Sequence, residues 1–308
     1  LGGTKCIVAV GHTPTDIVSK QTIPTRDPVS TFSQIRSFFA KYNVDSIGVG
    51  CFGPIVLDSN SKDYGLIISD SKVGWKGVNI FHELSSFSDN VRIDTDVNAA
   101  ALGEYKYGAG QLSRTFVYIT IGTGIGVGVL YNGKPYVGNF HLEAGHIFIP
   151  NEENIEGICR VHGNCWEGLA SGPALIHRWG ANVRDFPPDH EVWVEEARLL
   201  AFGIINILSN HSPDKIVLGG GVMNQSHLYK MIRSNIDKLW NGYTPLGSLS
   251  ELLVDPELGM GPQQFIPDLV TERILLKAKE FGKQITFTQD IRTEDAFGKG
   301  ADFINNMA

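Results

Sequence analysis

The stretch Ile121-Gly122-Thr123-Gly124-Ile125-Gly126 has an echo at the start of the chain, Leu1-Gly2-Gly3-Thr4-Lys5. Each is a Gly/Thr turn followed by an apolar, β-rich run, VGVL after the first and CIVAV after the second. Each run leads to a further turn, expected at Asn132-Gly133 and at Gly11. Strand-like runs also fall at 47–51, 91–94, 116–121 and 215–218. Helical periodicity fits 30–42, 97–107, 191–211, 226–240 and 268–281. Alternating strands and helices predict an α/β protein, and the two similar halves predict two related domains facing a cleft. The boundary is expected near 108–115, where Gly108-Ala109-Gly110-Gln111 follows a helix. That gives an N-terminal domain over 1–112 and a C-terminal domain over 113–308.

Glycine lets backbone N–H groups approach a phosphate and adopt positive φ. Thr4 and Thr123 would add hydroxyls, and Lys5 a charge. No GxxxxGK[ST] loop is present, and no GxGxxG opens a helix after a strand. Taken singly, each turn reads as an ordinary tight hairpin; two copies at the starts of two strand sets point to nucleotide binding. A third candidate, Gly219-Gly220-Gly221, lies between a buried strand and a helix beginning near Ser226. Three successive glycines are costly to order, so a close ligand or backbone contact is expected there.

The region from His141 to Pro173 reads HLEAGH and then, farther on, IEGICRVHGNCWEGLASGP. It holds His146, Cys159, His162 and Cys165, with two-residue gaps between the last three, so that one tight turn could present them to one ion. Two Cys and two His complete the closed tetrahedral shell of a structural zinc site. The plain alternative is that the thiols are merely buried. Spacing alone leaves the upstream ligand open, since His141 lies close; His146 is preferred because it ends the Glu-Ala-Gly-His turn. Glu143 and Glu167 are surplus to a zinc shell and suggest a site that grips hydroxyl groups.

Asp94-Thr95-Asp96-Val97-Asn98 ends one strand and opens a helix. One of these polar residues should cap the helix; Asp94 or Asn98 is expected to do so. The 308 residues carry 26 basic and 33 acidic side chains, a net charge of −7 without a polybasic run. Nucleic acid is therefore not expected as a partner. No apolar stretch approaches a membrane span, so no membrane partner is expected either. Of the four cysteines, Cys6 and Cys51 sit in apolar strand contexts and read as reduced core thiols. A cytoplasmic location is expected on that account. The chain begins at Leu1 already inside a motif, and further sequence is expected upstream.

Over roughly 1–256 these motifs resemble the ROK family of sugar kinases, within the actin-like ATPase fold, and most of all its zinc-containing fructokinase branch. The resemblance implies two actin-like (ribonuclease H-like) domains flanking a cleft, with a zinc knuckle insertion. It implies ATP contacts at Gly3, Thr4, Lys5, Gly122, Thr123, Gly124, Gly126, Pro173 and Gly219, Gly220, Gly221, Val222 and Met223. Asp96 is implied as the base, and Gly53, Pro54, Asn79, Thr95, Glu143, His146 and Glu167 as sugar neighbours. The implied zinc set is His146, Cys159, His162 and Cys165, with His146 serving metal and sugar through different ring nitrogens. Zinc would be structural, Mg²⁺ would accompany ATP, and a homodimer is implied. The activity expected is phosphorylation of a hexose, D-fructose first, at its 6-hydroxyl. Glucose, mannose or an N-acylhexosamine is the alternative, or a sugar-binding or regulatory protein with impaired catalysis. Late in the chain, Leu258-Gly259-Met260-Gly261-Pro262 departs from the family's Leu-Gly-Asp-Asn-Ala-Gly turn.

Overall fold

A computed structural model describes residues 1–13, 16–244, 252–254 and 285–287. The segment at 258–262 and the amphipathic run at 268–281 lie outside these residues. The chain forms two compact units. One comprises Leu1–Gln111, Gly133–Leu142 and the later strand Ile285–Phe287; the other comprises Leu112–Asn132 and the described part of Glu143–Gln263. The chain first passes between them at Gln111–Leu112, and Gly133–Leu142 returns to the first unit.

In the first unit, β1 (Lys5–Thr13) and β2 (Asp16–Pro24) form an antiparallel hairpin. Helix α1 (Pro28–Phe39) follows, capped by Asp27, whose Oδ1 accepts from the Ser30 N–H at 2.9 Å. Then come β3 (Ser46–Cys51), the short α2 (Ile80–Leu84), β4 (Val91–Thr95) and α3 (Asp96–Tyr107). The turn expected at Gly11 is not there: β1 runs on to Thr13, and Gly11 marks a shift in register against β2. Glycine at such a site lets the strand bulge and twist. All six residues of β3 are buried, as a central parallel strand requires. Phe32, Ile35, Phe38 and Phe39 of α1 complete an apolar core with Trp75, Ile80 and Ile93. Cys6 and Cys51 lie within it, neither of them in a disulfide, and burial pushes both thiol pKa values up.

The second unit is built on the antiparallel hairpin of β5 (Thr115–Ile121) and β6 (Ile125–Tyr131). The turn expected after β6 is present, with positive φ at Asn132 and Gly133. The two-residue β7 (Lys134–Pro135) comes next in the chain. Helices α4 (Trp166–Ala170), α5 (Gly172–Trp179) and the long α6 (Glu191–His211) precede β8 (Lys215–Gly219), which pairs parallel to β5. Helix α7 (His227–Trp240) packs on α6, and β9 (Leu253–Val254) pairs parallel to β8. Back in the first unit, the last described strand, β10 (Ile285–Phe287), lies between β1 and β3, antiparallel to one and parallel to the other. No helix among the described residues is long and apolar enough to cross a membrane.

Candidate functional site

In the first unit, β3 and β4 run parallel with Cys51 beside Thr95. The segments leaving their carboxyl ends therefore start side by side, the position where open α/β sheets bind ligands. After β3 the chain forms Phe52-Gly53-Pro54, with a cis Gly53–Pro54 peptide. The Gly53 carbonyl accepts from Ser71 Oγ at 2.8 Å, and the Pro54 carbonyl from the Ile68 N–H at 3.0 Å. The first glycine turn lies alongside, since the Phe52 N–H donates to the Leu1 carbonyl at 2.9 Å and the Gly2 N–H to the Lys5 carbonyl at 3.0 Å. Gly3, Thr4 and Lys5 are exposed.

After β4 the chain enters α3 directly. The cap expected at Asp94 or Asn98 falls instead on Thr95, whose backbone is extended and whose Oγ1 accepts from the Asn98 N–H at 3.1 Å. Asp94 is buried and takes a different part: its Oδ1 accepts from the Thr95 N–H at 2.7 Å and from Asn98 Nδ2 at 2.8 Å. Burial pushes its carboxyl up to about 6, against the opposing pull of the Asn98 and Thr95 bonds. Asp96 becomes the first helical residue, half-buried, where the helix N-terminus favours a negative charge. Close packing explains Gly50: a Cβ there would lie 3.0 Å from the Ala99 Cβ and 3.3 Å from the Asp96 Cα. Asn79, expected near the sugar, spends its amide on the fold: Oδ1 caps α2 through the His82 N–H at 2.9 Å, and Nδ2 donates to the Tyr64 carbonyl at 3.0 Å.

In the second unit the parallel pair β5 and β8 has the same arrangement, with Thr120 beside Gly219. The turn Gly122–Gly124 and the segment Gly220–Met223 leave these ends together. The Gly122 carbonyl accepts from the Gly172 N–H at 2.8 Å, and a Cβ on Gly172 would lie 3.6 Å from the Val222 Cγ2. Gly220 has φ +93°, and a Cβ there would lie 2.3 Å from the Ile121 carbonyl oxygen. A Cβ on Gly219 would meet the Tyr118 hydroxyl at 2.2 Å. Two of the three successive glycines are thus explained by close approach. Pro173 starts α5 immediately beyond, in the first-turn position proline favours.

The knuckle packs against this same turn. Glu167 Oε2 accepts from the Ile125 N–H at 3.0 Å, and a Cβ on Gly124 would lie 2.4 Å from that oxygen. The Glu-Ala-Gly-His turn lies alongside: a Cβ on Gly145 would fall 1.8 Å from the Ile125 carbonyl oxygen. These two contacts were not legible in the sequence. The only signal was a glycine within the Glu-Ala-Gly-His motif.

His146, Cys159, His162 and Cys165 each turn one ligand atom inward, and these atoms all lie within 4.8 Å of one another. His146 Nδ1 is 3.4 Å from Cys165 Sγ and 3.7 Å from Cys159 Sγ, and Cys159 Sγ is 3.8 Å from His162 Nδ1. Metal bonds of about 2.3 Å to sulfur and about 2.0–2.1 Å to nitrogen set tetrahedral ligand atoms roughly 3.4–3.8 Å apart. The four residues fit zinc on these distances and on donor chemistry. Burial pushes the Cys165 thiol up to about 11, so paired thiolates here require a cation beside them. The tight turn is closed by reciprocal bonds, Gly163 N–H to the Cys159 carbonyl at 2.9 Å and Cys159 N–H to the Gly163 carbonyl at 3.2 Å. His146 Nε2 faces the other way, 3.9 Å from Glu143 Oε2. His141, the other possible upstream ligand, is engaged elsewhere: its Nε2 accepts from the Ile55 N–H at 3.1 Å.

The chain is similar to known proteins over most of its length. The chain is 36% identical over 261 residues to a fructokinase of Pediococcus pentosaceus, covering 84% of this chain and 91% of that one. It is 38% identical over 263 residues to a fructokinase of Streptococcus mutans, covering 83% and 89%. A ROK family glucokinase from Streptomyces griseus, solved in complex with glucose and AMPPNP, superposes with a TM-score of 0.66 at 22% identity, covering 89% of this chain and 96% of that one. That likeness shows the actin-like sugar kinase fold. Residues 1–252 match the ROK family, and the chain belongs to it.

Proposed function

We propose that this protein transfers the γ-phosphoryl group of ATP to the 6-hydroxyl of a hexose, with D-fructose as its substrate. The observation that supports this most is the packing of the second unit. There the Gly122–Gly124 turn meets Gly172 and Gly221, while Glu167 binds the same turn from the knuckle side. Residues suited to phosphate and residues suited to hydroxyl groups are thereby joined through one backbone turn. The fructokinase names of relatives at 36% and 38% identity point to fructose.

In this reading the backbone N–H groups of Gly3, Thr4, Gly122, Thr123, Gly124 and Gly126 cradle the phosphates, with Lys5 adding charge. Pro173 and Gly219–Met223 hold the adenosine end. Gly53, Pro54, Thr95, Glu143, His146 and Glu167 position the sugar; Asn79, engaged in its cap, is left out of this set. Asp96 accepts the proton of the 6-hydroxyl as the new O–P bond forms and the bond to the leaving ADP breaks. General-base assistance is worth on the order of 10²–10⁴-fold, and in a loose transition state positioning carries much of the remainder. Mg²⁺ would accompany ATP and would supply charge neutralisation at its phosphates. His146, Cys159, His162 and Cys165 would hold zinc, which would fix their orientation and keep the Nε2 of His146 directed at a hydroxyl. The protein acts in this reading as a cytoplasmic homodimer.

An ATP-coupled assay across fructose, glucose, mannose and N-acetylhexosamines is the direct test. Fructose should show the highest kcat/KM, and the absence of any preference for it sinks the substrate assignment. Asp96→Ala should lower kcat by at least 100-fold, within the range for general-base assistance; a rate equal to the parent removes Asp96 from the mechanism.

A further inference from the structure

The loop at Gly53–Pro54 is fastened in an uneven way. Ile55 and Ile67 form an antiparallel bridge, with the Ile68 N–H donating to the Pro54 carbonyl at 3.0 Å and the Val56 N–H to the Leu66 carbonyl at 2.9 Å. This is the non-hydrogen-bonded kind of pair, in which the bonds are made by the flanking residues and the N–H of the bridged residue points away from its partner strand. The outward N–H of Ile55 is buried, and a buried backbone donor without an acceptor is rare and costly. Its acceptor is the Nε2 of His141, 86 positions farther along the chain and in the same unit.

A backbone N–H can only donate, so Nε2 must present its lone pair. The ring is therefore neutral with its proton on Nδ1, 3.4 Å from the Leu142 carbonyl. His141 is only 5% exposed, and burial lowers its pKa, which favours that neutral form. The Phe140 ring lies against it with centroids 4.1 Å apart, restricting the imidazole. We infer that His141 is a positioning residue for the sugar-side loop: its Nε2 anchors the Ile55 N–H and so holds Gly53–Pro54 in place for the substrate. This rests on the reading of Gly53 and Pro54 as sugar neighbours. His141 touches no substrate itself.

The test uses the full-length, zinc-loaded protein. ¹⁵N spectra of the histidine rings should show His141 with an unprotonated Nε2 and a protonated Nδ1; the opposite tautomer or a charged ring overturns the inference. His141→Phe removes the acceptor at similar ring size, and His141→Gln returns an oxygen near the position of Nε2. In His141→Phe the Ile55 amide should exchange with solvent faster, and the sugar KM should rise by about tenfold. The ATP KM, kcat and zinc content should stay within about twofold of the parent, and His141→Gln should recover most of the sugar KM. Unchanged exchange at Ile55 refutes the anchor. Faster exchange with an unchanged sugar KM shows that the anchor does not serve the substrate, which also overturns the inference. A parent protein that phosphorylates no sugar would instead refute the kinase reading, and the Ile55 exchange would still decide the anchor. Should His141→Phe not fold, the parent tautomer and the Ile55 exchange in His141→Gln decide between these outcomes.

Discussion

Asp94 makes a measurable demand on stability. It is fully enclosed, and its Oδ1 accepts from the Thr95 N–H and Asn98 Nδ2. Burial outweighs those bonds and pushes its pKa from 3.8 to about 6. The folded state thus prefers the neutral carboxyl, and the sign follows by linkage. The stability Asp94 contributes is fully present below pH 3.8 and is lost as pH rises through about 6. A gap of about two pH units corresponds to about 3 kcal/mol, spread over that window at about 1.4 kcal/mol per pH unit. Asp94→Asn keeps an oxygen to accept both bonds and cannot ionise. Unfolding can be followed at Trp75, the one tryptophan of the first unit, by ¹⁹F NMR of protein carrying 5-fluorotryptophan. Urea titrations between pH 4 and pH 8 should show Asp94→Asn gaining about 2.4 kcal/mol on the parent as pH rises, the rest of the effect lying below pH 4. Any constant cost of the substitution cancels in this difference, as does every group titrating in both proteins. Parallel stability curves for the two proteins would refute the reasoning, and would mean that the bonds from Thr95 and Asn98 fully offset burial.

Three further outcomes follow from the second unit. Gly220→Ala places a Cβ 2.3 Å from the Ile121 carbonyl at φ +93°, which should cost about 1–3 kcal/mol and weaken ATP binding in calorimetry while sparing the sugar; unchanged ATP affinity would remove Gly220 from the nucleotide site. Cys165→Ser should abolish stoichiometric zinc by elemental analysis and lower the melting temperature, and zinc retained at one per chain would defeat the ligand set. Gly145→Ala would bring a Cβ to 1.8 Å from the Ile125 carbonyl. That clash should displace Glu143 and His146 and raise the sugar KM by about tenfold or more, roughly the effect of a 1.4 kcal/mol loss; a parent-like KM would separate this turn from substrate binding.

The features legible in the sequence were those set by near neighbours. Strands at 116–121 and 215–218 and the helix at 191–211 were marked by apolar periodicity, which depends only on successive side chains. The structure places β5, β8 and α6 there, with bounds differing by a residue at most. The Cys159-x2-His162-x2-Cys165 spacing likewise encodes a local turn, which Gly163 closes at φ +61°. The helix cap was misplaced because Asp94, Thr95 and Asn98 are all competent acceptors. The choice fell to Thr95 once β4 buried Asp94. The turn expected at Gly11 was misread because a glycine serves a bulge inside a hairpin as well as a turn at its end.

The sequence alone determined the α/β class, the three glycine segments, the Cys159-x2-His162-x2-Cys165 spacing and the family, since each is written in composition or short spacing. Only the tertiary structure decided between His141 and His146, turning one toward Ile55 and the other toward Cys159 and Cys165. It alone brought Glu167 and Gly145 onto Ile125 and gave Gly219 and Gly220 their separate reasons. Such assignments depend on which distant backbone groups are left to be satisfied or approached after the sheets pair, and no local spacing records that.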